Sequence, residues 1–325
     1  MTKVIIQIPC FNEEKSLPIT LADLPRTLPG VDRVEWLIIN DGSRDKTSEV
    51  AKAHGVDHIV ELGHNQGLAR AFQAGLRHSL KMGADIIVNT DADNQYCADD
   101  IPKLIEPILQ GRAQIVVGAR PIRDIRHFSF FKKIMQGLGS WVVRKVSDTD
   151  IPDAPSGFRA FSREAALRLN VFSSYTYTLE TLIQAGRKGI PITWVPIRTN
   201  PFLRPSRLMR SMVSYMFRSL LTIVRIFITY KPLRFFTYLG SLPFLVGFGL
   251  GIRWIVLFFL DPSRTHLPSL ILAAILLLIG FMLWVVGVVA DLLSVNRSLL
   301  EELQVSQRAR DWRPLSSNSQ ETSHD

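Results

Sequence analysis

Two apolar stretches, 235–260 and 267–293, constrain this chain more than any other feature of its sequence. Each exceeds the roughly 20 apolar residues that an α-helix needs to cross a bilayer. The segment between them, Asp261-Pro262-Ser263-Arg264-Thr265-His266, is short enough that the pair reads as a transmembrane hairpin. Orientation follows the distribution of Lys and Arg. Arg218, Arg225, Lys231 and Arg234 precede the first stretch and Arg297, Arg308 and Arg310 follow the second, whereas the linker holds only Arg264. Both ends of the hairpin are therefore expected on the cytoplasmic side of the cell (inner) membrane. Arg253 interrupts the first stretch, and its expected place is near the far end, with the guanidinium snorkelling to headgroups.

The formal net charge of +9 is concentrated ahead of this hairpin. Between Arg198 and Arg234 there are eight Lys or Arg residues and no Asp or Glu. Basic residues beside a span attract anionic headgroups by roughly 1 kcal/mol each. The excess charge thus points to a membrane surface and away from nucleic acid. Over 208–230 the spacing predicts a helix lying in the interface. Arg207, Arg210, Ser214, Arg218 and Arg225 fall on one side, and Met209, Met212, Met216, Leu220, Ile223 and Phe227 populate the others. Four regions follow: a cytosolic domain over 1–200, a basic interfacial segment over 201–234, the hairpin over 235–293, and a polar tail over 294–325 expected to be disordered. The two cysteines, Cys10 and Cys97, make no disulfide framework and fit a reducing compartment. No Cys-x-x-Cys spacing supports a structural zinc site. The opening apolar run, 4–8, is too short for a signal peptide and reads as a buried strand, so the N-terminal domain is expected to stay in the cytosol.

Within that domain, short apolar runs alternate with helical patterns. Strands are expected at 4–8, 36–40, 58–61, 85–90 and 114–118, and helices at 16–28, 47–54, 67–82 and 99–110. This alternation predicts an α/β fold with a mostly parallel sheet covered by helices. Ligands of such sheets bind beyond the carboxyl ends of the strands. Acidic clusters fall at three of those ends: Pro9-Cys10-Phe11-Asn12-Glu13-Glu14, Asn40-Asp41-Gly42-Ser43-Arg44-Asp45 and Thr90-Asp91-Ala92-Asp93-Asn94-Gln95. Packing alone explains them poorly, because unpaired acids repel; a cation or hydrogen-bonding hydroxyls would reconcile them. Asp91 and Asp93 are the sharpest case. On an extended backbone residues two apart share a face, and paired hard oxygen donors suit Mg²⁺ or Mn²⁺ bridged to substrate phosphates.

The order of these motifs, completed by Ser156-Gly157-Phe158-Arg159, resembles the family 2 glycosyltransferases with the GT-A fold. The likeness is to dolichol-phosphate mannose synthases and bacterial polyprenyl-phosphate glucosyltransferases, and it runs through the basic segment and both apolar stretches. It implies a GT-A, Rossmann-like sheet that binds a nucleotide sugar, with a polyprenyl phosphate as acceptor. By that resemblance Pro9, Phe11, Glu13, Ile39, Asp41, Asp91 and Ala92 would line the nucleotide pocket. Asp91, Asp93 and Gln95 would hold Mg²⁺ or Mn²⁺ and the donor pyrophosphate. Arg120 would lie near the phosphates, and Ser206-Arg207 resembles a Ser-Lys pair that engages donor or acceptor phosphate. The sequence departs from the pattern at Asn40-Asp41, where relatives carry two acids, and at Pro201 and Arg204, which occupy places of a phosphate-binding loop in mannose synthases. Relatives of this architecture can form tetramers, so a homo-oligomer is implied.

A phosphate acceptor explains why no general base is needed. A phosphate monoester is mostly dianionic near neutral pH, its second pKa being about 6. The expected reaction is a single in-line displacement at the anomeric carbon, with inversion. Asp91 and Asp93 stabilise the departing diphosphate through the metal. Arg120, Arg204 and Arg207, with Lys132 or Lys133 from an expected helix at 128–146, hold the acceptor phosphate. Two other readings remain: a transferase using a lipid or glycan hydroxyl, with Glu180 as base, and a non-catalytic membrane scaffold that binds sugar nucleotides. A nucleotidyltransferase would want a glycine- and lysine-rich opening loop, which this chain lacks. Glu180 and Arg159 read as structural residues.

Overall fold

A computed structural model describes residues 1–121, 149–171, 177–201, 224, 225, 228, 231–260 and 267–311. The chain divides into two compact units, Met1–Met216 with Glu302–Asp325, and Phe217–Glu301.

In the first unit the described strands are β1 (Lys3–Cys10), β2 (Arg33–Asn40), β3 (His58–Glu61), β4 (Ile86–Asn89), β5 (Ile115–Ala119), β6 (Arg159–Ser162) and β7 (Ile192–Pro196). Between them lie α1 (Leu17–Asp23), α2 (Thr47–Ala53), α3 (Leu68–Lys81), α4 (Ile101–Leu109), α5 (Arg163–Arg168) and α6 (Thr178–Arg187). The strands form one sheet in the order β3-β2-β1-β4-β6-β5-β7, parallel except for β6, which runs antiparallel to β4 and β5. The expected mostly parallel α/β sheet is therefore present. β6 was not legible: four residues opening on a buried arginine give no apolar run.

Burial on both faces accounts for the near-continuous apolar strands. Along β1, Val4, Ile6, Ile8 and Cys10 enter the core beneath α1 and α4, while Ile5 enters the core beneath α3. Gly75 lets α3 approach closely, since a Cβ there would stand 2.5 Å from Gln7 Oε1 and 2.8 Å from Ile39 Cδ1. The first helix is shorter than expected, ending at Asp23. Leu24 is extended ahead of Pro25, and a residue before proline is disfavoured in the helical region.

The topology decides where a ligand can sit. From β1 the chain winds outward to β2 and β3, then returns through α3 to place β4 on the other side of β1. Where winding reverses, loops leave adjacent strands in opposite directions and open a crevice at their carboxyl ends. That crevice lies between the ends of β1 and β4.

At the opposite rim, Glu35 is buried under two cations and an imidazole: Lys3 Nζ at 2.7 Å, Arg33 Nε at 2.6 Å and His58 Nε2 at 2.9 Å. Burial pushes its carboxyl up, but hydrogen bonds from Lys3 and His58 and the charges of Lys3 and Arg33 outweigh this and hold it below the usual range. A lowered folded-state pKa means the stabilisation is present above the unfolded value and lost as pH falls through the folded one. Glu35→Gln should lower stability by about 2 kcal/mol, at the low end for a broken buried pair because Arg33 and His58 keep partial access to water. Thermal unfolding of both proteins in detergent measures it; an unchanged midpoint would make the network ornamental.

In the second unit, α7 (Pro232–Leu260) and α8 (Leu267–Asp311) are both long and apolar enough to cross a membrane. Gly240 and Gly247 of α7, and Gly280 and Gly287 of α8, sit where the two helices touch. A Cβ at Gly240 would lie 2.8 Å from Gly280 O, and one at Gly280 would lie 2.7 Å from Phe244 Cβ. Phe244 and Trp284 pack at 4.6 Å beside them. This close approach through glycine is the packing expected where lipid removes the hydrophobic drive for helices to associate. Arg253 is exposed on α7, seven residues before its end. The segment expected to be disordered begins as helix, because α8 continues to Asp311. No Gly or Pro interrupts 294–311, and Leu, Glu, Gln, Ala and Arg are good helix formers. The interfacial helix expected at 208–230 lies almost wholly outside the described residues.

Candidate active site

The register brings three strand ends to one rim. Cys10 pairs with Asn40 across β1 and β2, and Gln7 pairs with Asn89 across β1 and β4. The loops that leave these ends carry the acidic motifs.

The loops after β1 and β2 are joined by side chains binding backbone. Asn12, in the left-handed region at φ 57°, donates its N–H to Ser43 Oγ at 2.9 Å and accepts from Arg44 N at 2.8 Å. Glu13 N donates to Thr47 Oγ1 at 2.9 Å, Glu14 N to Asp45 Oδ2 at 3.0 Å, and Lys46 N to Glu14 Oε2 at 3.2 Å. Asp41 accepts Gln66 N at 2.7 Å on one oxygen and Gly67 N at 2.9 Å on the other. Several acids of the first two clusters therefore build the rim, and charge-assisted bonds to N–H groups are what such carboxylates do well. Gly42 is forced by the same construction: its φ is 69°, and a Cβ would stand 2.6 Å from Asn65 N.

The nucleotide-pocket expectations separate by placement. Phe11 is 39% exposed at the rim, and Glu13, mostly buried, accepts from Ser16 Oγ. Pro9 is buried in β1, and Ile39 is 0% exposed, packed beneath α3. The Ile39 side chain lies on the covered face of β2, in the core beneath α3. Ala92 is buried, its carbonyl accepting Thr20 Oγ1 at 3.0 Å and tying this loop to α1.

Asp91 and Asp93 lie on a turn and not on the extended backbone the spacing predicts, and the charge of Asp93 reaches Asp91. Asn94 takes the left-handed region at φ 55°, and Asp93 Oδ1 accepts Gln95 N at 3.2 Å. Asp91 is held from the side. A Cβ at Gly157 would meet both of its carboxylate oxygens at 3.2 Å, and Gly157 N donates to the Tyr96 hydroxyl at 3.0 Å, which brings that phenol to the same place. Burial, and then the neighbouring Asp93 charge, push the Asp91 carboxyl up to about 7, against the pull of Arg120 and Tyr96. Two close carboxylates cannot both ionise cheaply without a cation.

Arg120 follows β5 and reaches this side, but its guanidinium is engaged. It binds Asp153 twice, Nε to Oδ2 at 2.8 Å and Nη2 to Oδ1 at 3.1 Å, and Asp153 is fully buried. Its charge still reaches Asp91. The chain leaving β7 runs beside the Asp91–Gln95 turn: Asn200 N donates to Gln95 O at 2.9 Å, and Asn200 Nδ2 to Asn94 O at 3.1 Å. Arg198 anchors that segment on buried Asp100.

Residues 5–169, just over half of the chain, match the family described as Glycosyl transferase family 2. The chain belongs to this family. It is 29% identical over 205 residues to an undecaprenyl-phosphate mannosyltransferase of Micrococcus luteus, covering 60% of this chain and 82% of that one. It is 30% identical over 220 residues to a UDP-N-acetylglucosamine–dolichyl-phosphate N-acetylglucosaminyltransferase of Methanococcus voltae, covering 60% of this chain and 85% of the relative. Among solved structures, glucosyl-3-phosphoglycerate synthase of Mycobacterium tuberculosis, crystallised with Mn²⁺, UDP and glucosyl-3-phosphoglycerate, superposes with a TM-score of 0.54. That match covers 68% of this chain and 80% of the other at 21% identity, and carries the fold alone. The chain is thus a GT-A glycosyltransferase.

The donor set of this glycosyltransferase fits a divalent cation shared with a substrate. Among the described residues no group of three or more His, Cys, Asp or Glu gathers to hold a metal by itself. Asp91 and Asp93, with Gln95, would supply part of a shell that phosphate oxygens complete, as hard cations commonly require. Arg159 is structural, as its motif was read: fully buried, it donates to Ser156 O, Thr178 O, Thr181 Oγ1 and Ala154 O. Glu180 is buried in α6. Lys132, Lys133, Arg204 and Arg207, with the helix expected at 128–146, lie outside the described residues. Sequence reasoning passed over Tyr96, Asn89, Asp153 and Tyr177. Tyr96 stood next to a named motif, but nothing in its spacing marked it.

Proposed function

We propose that this glycosyltransferase moves a sugar from a nucleoside-diphosphate donor to a polyprenyl phosphate, with inversion, at the cytoplasmic face of the membrane that its hairpin crosses. The observation that carries the reading is the Asp91–Asp93 pair at the topological switch point, in a chain that also has two helices long enough to span a bilayer. The names of the two relatives support the acceptor class. The excess of Lys and Arg around the hairpin, against Arg264 alone in its linker, supports cytoplasmic placement of the transferase domain (1–200), the basic segment (201–234) and both termini.

The rim formed by Phe11, Glu13 and the Asp41 loop would receive the nucleoside. Asp91, Asp93 and Gln95 would hold Mg²⁺ or Mn²⁺, which when bound supplies charge neutralisation at the departing diphosphate. Arg120, pinned by Asp153, contributes a fixed positive field whose orientation costs nothing at the moment of reaction. Arg204, Arg207 and Lys132 or Lys133 would hold the acceptor. Such an acceptor attacks as a dianion, so no side chain must remove a proton. A hydroxyl acceptor would need a base, and the buried position of Glu180 gives that reading little support.

The test uses full-length protein in detergent with undecaprenyl phosphate, Mg²⁺ or Mn²⁺, and radiolabelled UDP- and GDP-sugars. Label should enter the organic phase from one donor, vanish with EDTA, and carry the anomeric configuration opposite to the donor's. Folded protein that binds nucleotide yet labels no lipid from any donor would sink the reading.

A further inference from the structure

We propose that Tyr96 is the positioning residue that aims the Asp91 carboxylate, pressing it against Gly157 so that it faces the metal–diphosphate site. This rests on the reading of that site given above and adds to it how the first acid of the pair is held.

Hydrogen-bond accounting assigns the direction. A phenol has one proton to donate and lone pairs to accept with. Gly157 N lies 3.0 Å from Tyr96 Oη and can only donate, so the phenol oxygen accepts there. Its own proton is left to face the Asp91 carboxylate, both oxygens of which stand 3.2 Å from the place of a Cβ on that same glycine. The ring cannot swing away. Tyr96 is 4% exposed, stacked on Phe158 at 5.0 Å and 8°, and its backbone bridges to Thr199.

Gly157 is equally fixed on its other side. Its carbonyl accepts Asn89 Nδ2 at 2.9 Å and the Tyr177 hydroxyl at 3.3 Å. Asn89 also donates to Tyr177 Oη at 2.9 Å, and Gln7 Nε2 donates to Asn89 Oδ1 at 2.9 Å. A buried polar chain therefore runs from the middle of β1 to the glycine against which Asp91 rests. A Cβ at 157 would stand 2.9 Å from Tyr177 Oη and 3.2 Å from both Asp91 oxygens, so even one methyl would press on the carboxylate as well as on the phenol behind it. A side chain at the mouth of a crevice would otherwise sample several rotamers, and ordering it at binding would cost affinity. Partners that orient metal ligands typically change metal affinity or activity by about 10–100-fold when removed.

Titration calorimetry on the full chain in detergent tests this, with UDP and GDP, in Mn²⁺ and in EDTA. Tyr96→Phe keeps the ring and its stack and removes only the hydroxyl. It should weaken Mn²⁺-dependent nucleotide binding by about 10–100-fold, while affinity in EDTA stays at the wild-type value. Gly157→Ala should do the same from the opposite side, and it decides the matter if Tyr96→Phe lowers the melting temperature. Wild-type Mn²⁺-dependent affinity in both variants would overturn the proposal and leave the metal site standing. Equal losses in Mn²⁺ and EDTA would also overturn it, since they mark a general structural role. Wild-type protein whose nucleotide binding ignores Mn²⁺ would refute the metal site itself, and the proposal with it.

Discussion

Asp93→Ala should lower kcat/KM for lipid glycosylation by at least about a hundredfold, while the protein stays folded. A bound metal supplies several kcal/mol of charge stabilisation to a leaving diphosphate, and each 1.36 kcal/mol is tenfold in rate. Asp93 is the cleaner residue to remove. Like Asp91 it is half-buried, but its hydrogen bond is a local one, accepted from Gln95 N at 3.2 Å. Asp91 rests on Gly157 beside the Tyr96 hydroxyl, so its removal would disturb more than the metal. Deleting Asp93 also relieves a repulsion that raises Asp91, so the metal-free variant should melt no lower than wild type near neutral pH. Steady-state kinetics with and without added Mn²⁺ measure the effect. A variant within threefold of wild type would remove Asp93 from the catalytic site.

Acid should disable the enzyme from about pH 7 downward, well above the usual carboxylate range. Asp91 is pushed up from 3.8 to about 7, by burial first and by Asp93 second. Its folded-state value lies above its unfolded one, so the proton favours the folded, metal-free protein. That stabilisation is complete below the unfolded value and is lost as pH rises through the folded one. Metal binding wants the opposite state, because the ligand must be deprotonated. Mn²⁺-dependent nucleotide affinity should therefore fall up to about tenfold per pH unit below about 7, while thermal stability of the metal-free protein rises over the same span. Binding isolates this group from the acceptor, whose phosphate titrates near 6. Transfer rates should fall more steeply than binding once pH drops below that value. Affinity that is flat from pH 8 to pH 5 would mean that Asp91 is ionised throughout, or holds no metal.

Much of this was written locally. Buried parallel strands such as 4–8 and 36–40 are legible because both faces are covered, leaving compact apolar runs between helical patterns. The two long stretches are legible because a bilayer demands about 20 apolar residues in succession. Acids at the ends of β1, β2 and β4 are brought to one rim, the end of an α/β sheet where ligands commonly bind. The fourth motif was visible, though β6, which carries its Arg159, was not: four residues with a buried cation look like no strand.

The division of labour among those acids belongs to the tertiary structure. Asp41, Asp45 and Glu14 look like site residues in the sequence, and the loops use them to satisfy backbone N–H groups. Ile39 adjoins a motif yet faces the core, because position along a strand sets its face and only the packing of α3 says which face is covered. Arg120 finds Asp153 thirty-three residues away, and Tyr96 finds Gly157 sixty-one away. Periodicity and composition are set by each residue's own backbone and surroundings, so a single chain displays them directly. Partners are chosen by strand order and crossover, which bring distant segments together, and no spacing in the sequence encodes that meeting.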